Sequence, residues 1–339
     1  MDRRDFLKAA AIAASSPLIV QGLAQASPPG GSGLVKGLAG RDDLDPRLGS
    51  WNPRARWANL QPEPFGPIVR PNAIDQARTD ALSNGKRFRV RLDAGRFAPP
   101  WVLAMGSVVV VDPEGGGPSG SMGEFSVPTW WTSQYLAAYD DFLRKLGAAY
   151  DGDVSAITLS APMTIYAEPF LRQAAHPSTR TNLKAAGYSR SNDRTAFWSA
   201  IDTHARYFKS TRTVLTLNPA QTYDPGTDTW NQRDNAHMEE ISERFIAKLG
   251  KRAILQNCSL NVERVTTPES YRLMYAYMQA KRRQGIPIAF QTSVLSIIGD
   301  LKTTLETAIG WGAHLVELPK GYQLTDAEVA GFDSRLQRN

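Results

Sequence analysis

Cysteine is almost absent from this chain: Cys258 stands alone among 339 residues. No internal disulfide can form, so burial has to hold the fold together. Long apolar runs are missing too. The nearest to one, residues 9–23, is interrupted by Pro17 and several serines and falls short of the ~20 apolar residues a membrane helix needs, so no stable membrane anchor is expected. Histidine is scarce, and His176, His204, His237 and His314 show no metal-ligand spacing; no metal and no cofactor are expected. There is no Gly-x-Ser-x-Gly elbow, no Walker loop, no Rossmann glycine fingerprint and no His-Glu-x-x-His, which disfavours a serine hydrolase. The formal charge of +6 is scattered along the chain rather than gathered in a stripe, so nucleic acid is not an expected partner. Hydrophobic residues make up 42%, enough for a substantial core.

What is present begins at the N-terminus. Arg3-Arg4-Asp5-Phe6-Leu7-Lys8, the weakly apolar segment after it, and the small-x-small site Ala24-Gln25-Ala26 resemble a twin-arginine export signal. The expectation is a cleaved leader over residues 1–26, the twin-arginine export machinery as a partner, and a periplasmic or secreted location. An uncleaved anchor is the alternative. A single cysteine agrees with a protein exported after folding. Residues 27–50 open with a Ser-, Pro- and Gly-rich stretch and read as a flexible linker or irregular segment, leaving 51–339 as the folded domain.

Along that domain strand and helix signals alternate. Strands are expected at Trp57–Leu60 and residues 87–92, 155–160, 213–217, 253–256, 287–291 and 314–318. Helices are expected at Ala73–Asn84, 133–149, 195–208, Asn235–Leu249, Glu269–Arg283, Leu301–Gly310 and 325–336. Seven strands are clear, and the first lies in 33–40 or is degenerate. This rhythm predicts a single-domain α/β (β/α)8 TIM barrel. Residues 106–128 read as a long, Gly-rich, structureless loop, a substrate lid or a surface insertion.

Carboxylates fall just past expected strand ends: Glu168 after 155–160, Glu317 in 314–318 and Asp93 after 87–92. Beside them stand Trp57, Trp101, Trp130, Trp131 and Tyr166, whose faces suit the C–H groups of a sugar ring. Of the adjacent pair Trp130 and Trp131, one must be structural, since neighbours on a regular element cannot point the same way. Neutral amides at strand ends, Asn218, Gln221, Asn257 and Gln291, suit sugar hydroxyls or equally pin loops. His204 and His237, on helices, read as surface or supporting groups. Paired acids beside aromatic walls are what glycosidic cleavage requires. The bland alternative is that each acid ties the rim to a basic side chain, Glu168 to Arg172 for example.

The order Trp57-Ala58-Asn59-Leu60-Gln61-Pro62-Glu63, Asp75, residues 87–93, Ala98-Pro99-Pro100-Trp101, Trp130-Trp131, Tyr135, Tyr139 and Tyr150-Asp151 resembles the beta-galactosidase-like (β/α)8 glycoside hydrolases. The resemblance covers the first half of the domain well, and the second half through strand–helix rhythm. It implies a carbohydrate substrate and a proton donor after the fourth strand, a role that falls to Glu168 if Trp57–Leu60 is the second. The chain departs from the family pattern with Ala167 where an Asn is usual, and with Gln291 at the end of the seventh strand, where the nucleophile belongs. Glu317 then serves as nucleophile if the strand count is one off, or as a neighbour of the site if it is not; Asp93 is a further candidate. Two other readings stand beside an active glycosidase: a carbohydrate-binding barrel without catalysis, for which Gln291 speaks, and a polysaccharide lyase using Tyr166, Tyr223 or Lys320 as base.

Overall fold

The computed structural model describes residues 33–112, 123–166 and 168–339, so the leader expected at 1–26 lies outside the described residues. Among these, eight parallel strands form one sheet. In chain order they are Gly37–Arg41; Ser50–Asn52, continued by Arg54–Arg56; Arg87–Phe88, continued by Arg91–Asp93; Ala156–Thr158; Arg212–Leu217; Ala253–Leu260; Ile288–Thr292; and Leu315–Glu317. The eighth strand pairs with the first, with Leu38 opposite Val316. The third closes on the fourth through the bridge between Val90 and Ile157. The sheet is therefore a (β/α)8 barrel.

Helices follow seven of the eight strands, and residues 42–49 join the first two strands with none. Local chemistry sets their ends. Helix Ala73–Asn84 starts with a capping box between Asn72 and Asp75 and stops at Gly85, whose φ of 61° is left-handed. Helix Ser133–Tyr150 buries Tyr135, Tyr139 and Phe142 against Trp57, whose ring stacks on Phe142 at 4.8 Å. Among the described residues no helix is long and apolar enough to cross a membrane.

Side chains on a strand alternate between the helix layer and the barrel axis. Phe88, Val90 and Leu92 pack outward, fully buried. Their neighbours Arg89 and Arg91 are buried too, so the polar face of this alternation points to the barrel interior rather than to solvent. At the N-terminal end the interior is apolar, a separate cluster of Val35, Ala39, Ala156, Val214, Ile254, Ala289 and Leu315. Two residues further along the same strands stand Arg41, Thr158, Thr216, Gln256, Gln291 and Glu317. The barrel turns from apolar to polar within one pleat period, toward the end where such folds hold their sites.

Several expectations need correction. Trp57–Leu60 is a helical turn, and the second strand precedes it. The strand count survives the shift, which places Gln291 on the seventh strand and Glu317 on the eighth. The first strand, Gly37–Arg41, falls in the 33–40 stretch where it was expected and ends one residue beyond it. Residues 106–128 are no structureless loop: Ser107–Asp112 and Gly123–Pro128 form an antiparallel hairpin, because Val108, Val110 and Val127 have a hydrophobic surface to cover. Helix Pro177–Ala185 and the hairpin Ala220–Asp224 with Thr229–Asp234 had no periodic signal strong enough to announce them.

Candidate active site

Glu168 hangs from the loop after the fourth strand and is 7% exposed. Asn218, just past the fifth strand, donates from Nδ2 to its Oε1 at 2.8 Å. The direction of that amide is set from behind. Its Oδ1 accepts from Asn257 Nδ2 at 3.1 Å and from Ser259 Oγ at 3.4 Å, while Asn257 Oδ1 accepts from Tyr275 Oη at 3.2 Å. With donors already on Oδ1, the NH2 end faces Glu168. Oε1 is held, and among the described residues nothing hydrogen-bonds to Oε2. The loop is anchored at its root, where Tyr135 Oη donates to the Ala161 carbonyl at 2.6 Å. It also touches the turn after the third strand: a Cβ on Gly95, φ 51°, would lie 1.9 Å from the Met163 carbonyl oxygen.

Tyr166, half-buried, stands at the centre of this loop. Its hydroxyl donates to Asp112 Oδ2 at 3.1 Å, and Gln173 Nε2 donates to Asp112 Oδ1 at 2.9 Å. One buried carboxylate from the hairpin thus brackets Glu168 on both sides in sequence, with Gln173 in the left-handed region at φ 61°. Burial, with Asp112 close by, pushes the Tyr166 hydroxyl up to about 12. Arg172 makes no ion pair with Glu168; its guanidinium lies over the Tyr166 ring at 4.9 Å.

The other two expected acids sit deeper and are closed off. Glu317 has no exposure. Arg91 Nη2 donates to its Oε1 at 2.6 Å and its Oε2 at 2.7 Å, Arg41 Nε lies 3.3 Å from Oε1, and Asn52 Nδ2 donates to Oε2. Burial alone would raise its pKa, but Arg91 and Arg41 outweigh that and hold the carboxyl below its ordinary 4.5. Arg91 Nη2 also donates to Gln291 Oε1 at 3.0 Å, so this amide belongs to the same buried cluster. Asp93, also unexposed, accepts from Arg54 Nη1 at 2.9 Å, and burial tilts it toward the protonated form. Both oxygens of Glu317 are engaged and neither acid is exposed, while Oδ1 of Asp93 has no hydrogen-bond partner among the described residues. Arg41, Arg91 and Asn52 were missed in the sequence; alternating basic residues in 87–92 were the one available signal.

The aromatic residues divide. Trp57 and Trp130 are buried to 0% and 1% exposure, Trp57 donating to Gln61 Oε1 and Trp130 to Asp193 Oδ1, so neither can stack on a sugar. Trp131 is half-buried, edge-on to Trp130 and Tyr188. Trp101 is half-buried against Trp57 and Phe65 and donates to the Gln61 carbonyl. Gln221 pins the Glu168 loop by accepting from the Ala174 amide at 2.8 Å. Tyr223 donates to Asp228, and Lys320 pairs with Asp43 at 2.9 Å. Cys258 lies within electrostatic reach of both Glu168 and Glu317, and burial, with these acids adding, pushes its thiol up to about 12, which keeps it inert. His204 and His237, expected at the surface or in support, are buried beside Tyr139 and Asp193.

No protein-family model matches the chain, and no curated protein sequence does. Solved structures do. The catalytic domain of beta-amylase from Paenibacillus polymyxa aligns with a TM-score of 0.53 at 11% identity, over 89% of this chain and 98% of that one. Xylanase 10B from Thermotoga petrophila with xylobiose gives 0.46 at 8% identity, over 84% and 81%. Endo-glycoceramidase II from a Rhodococcus species gives 0.47 at 11%, over 88% and 78%. These neighbours are (β/α)8 glycoside hydrolases, and at such identities the likeness is one of fold.

Proposed function

We propose that the protein is an exported glycoside hydrolase in which Glu168 is the general acid. The observation that carries this is the enclosed Glu168 carboxyl at the barrel mouth, with Oε1 held by Asn218 and Oε2 left to deliver a proton. Transfer of that proton to the bridging oxygen lets the C–O bond break and the alcohol leave. Glu168, now a carboxylate, can take the proton of the water that completes hydrolysis. Glu317 would act at a distance, as an ionised group beneath the mouth whose charge is balanced by Arg91 and Arg41. Trp131 and Trp101, the expected platforms that keep some exposure, would bound the sugar. The fold shared with the beta-amylase domain adds the weight of analogy. The twin-arginine-like leader motivates export, and a fusion of residues 1–40 to a folded reporter would test it: retention of the reporter in the cytoplasm would overturn that part.

The test of the chemistry is hydrolysis of a panel of glycosides and cell-wall polysaccharides by wild type and by Glu168→Gln. A loss of about 100-fold or more is expected for the variant, and equal rates would remove Glu168 from the mechanism. One specific observation favours a second reading, a barrel that binds carbohydrate without cleaving it: Gln291 occupies the seventh strand and both oxygens of Glu317 are engaged. Oligosaccharide binding by calorimetry without turnover would decide for it. Lyase chemistry has less support, since Tyr166, Tyr223 and Lys320 are each bound to an aspartate and the Tyr166 hydroxyl holds its proton to about pH 12.

A further inference from the structure

Three arginines at the mouth differ from those beneath it. Arg41, Arg54 and Arg91 are tied to Glu317, Asp42 and Asp93. Arg56, which ends the second strand, and Arg96 and Arg172, which follow the third and fourth, form neither an ion pair nor a side-chain hydrogen bond among the described residues. Each stands instead on an aromatic face. Arg56 and Arg96 lie over the Phe97 ring at 4.5 and 4.7 Å, Arg96 over Phe125 at 4.5 Å, and Arg172 over Tyr166 at 4.9 Å.

A guanidinium resting over an aromatic ring is attracted by the ring without spending its N–H groups on it, which leaves them to meet an acceptor, and the contact restrains the side chain before an anion is bound. Nε and Nη1 of Arg96 and Nε of Arg172 are shielded from water with no acceptor, a state that costs free energy and that a ligand oxygen would relieve. Charge points the same way. Burial, opposed by Asp93 and Tyr166 and reinforced by Arg54 and Arg56, makes the Arg96 cation harder to hold than an ordinary one.

We propose that Arg96 and Arg172, with Arg56 at the exposed edge, recognise an anionic sugar ring, so that the glycan taken by this site carries a carboxylate or a sulfate next to the position served by Glu168. Tyr166 links the two: it lies under Arg172, within electrostatic reach of Arg96 and of Glu168. The inference rests on the glycoside reading of the site for its sugar, but its test needs no turnover.

The experiment is titration calorimetry of wild type, Glu168→Gln, Arg96→Gln/Arg172→Gln and Arg96→Lys/Arg172→Lys. The probes are oligogalacturonides against their neutral methyl esters, and κ-carrageenan oligosaccharides against their neutral desulfated forms. At least a tenfold preference for one charged probe over its neutral partner is expected in wild type and in Glu168→Gln. It should shrink below threefold in the glutamine double variant, weaken as salt is raised, and recover in part with lysine. The pair that shows the preference separates carboxylate from sulfate recognition. Equal affinity for charged and neutral probes, no binding of either, or a preference that survives in a folded glutamine double variant would overturn the proposal. A charge preference without hydrolysis would overturn the hydrolase reading and leave this one standing.

Discussion

Asn218 donates to Glu168 across 2.8 Å from the neighbouring strand end, and the amide has no freedom to turn, because Asn257 and Ser259 occupy its oxygen. Asn218→Ala is expected to lower kcat by about 10- to 100-fold while KM stays within about twofold, since the acid remains but loses its fixed direction. Steady-state kinetics on a substrate turned over by wild type would check this, and an unchanged kcat would show that the hydrogen bond does not position the acid.

The Arg91–Glu317 pair is a matter of stability. Removing one partner leaves the other charge buried, so Arg91→Met is expected to cost about 3–5 kcal/mol in urea unfolding. Arg41→Met/Arg91→Met/Glu317→Leu should cost less than the single change, because with both of its arginines removed along with Glu317 no buried charge of the cluster is stranded. The pH sign follows from Glu317 being held below its ordinary 4.5. Its contribution is present above that value and fades as pH falls through the lower folded one. A single variant as stable as wild type would mean that the cluster is open to water.

The buried histidines predict acid sensitivity in a second window. Burial lowers His204 to about 3, and His237 and His314 also titrate below the ordinary 6.5. Below about pH 6.5 the unfolded chain takes up protons that the folded one refuses, so stability should fall, at a slope approaching about 1.4 kcal/mol per pH unit for a group held as low as His204. Thermal melts from pH 7.5 to 5 would show it, and His204→Phe should flatten the slope. A melting temperature independent of pH across this window would contradict the burial of these rings.

Trp57 and Trp131 should fail in opposite ways. Trp57→Phe removes ring volume and a hydrogen bond from the core, at a cost of about 2–4 kcal/mol with little effect on glycan affinity in the surviving folded fraction. Trp131→Ala should leave the melting temperature within a few degrees and weaken oligosaccharide binding about tenfold, if its exposed edge meets the sugar. Calorimetry and melting curves together separate the two outcomes.

Much of the barrel was legible because its signals are local. Helices Asn235–Leu249, Glu269–Arg283 and Leu301–Gly310 fall at the expected bounds, their apolar faces recurring at helical spacing. The Trp57–Leu60 turn was expected as a strand because four residues are too few to carry a period, and the choice depends on Phe142 and Tyr139 packing against Trp57. The strands Ser107–Asp112 and Gly123–Pro128 were hidden by the glycine-rich sequence that separates them.

Sequence alone determined that strands and helices alternate, that the strand after residue 86 carries alternating arginines, and that Glu168, Asn218 and Glu317 come just at or past strand ends, since each depends on spacing along one segment. Tertiary structure decided which of these groups are accessible. Closure of the barrel turns Arg91 and Glu317 toward one axis from the third and eighth strands, 226 residues apart, where they neutralise each other away from water. It leaves Glu168 at the mouth with a neutral amide for a partner, because charges converging inside a barrel must be paired, while the one at its rim need not be.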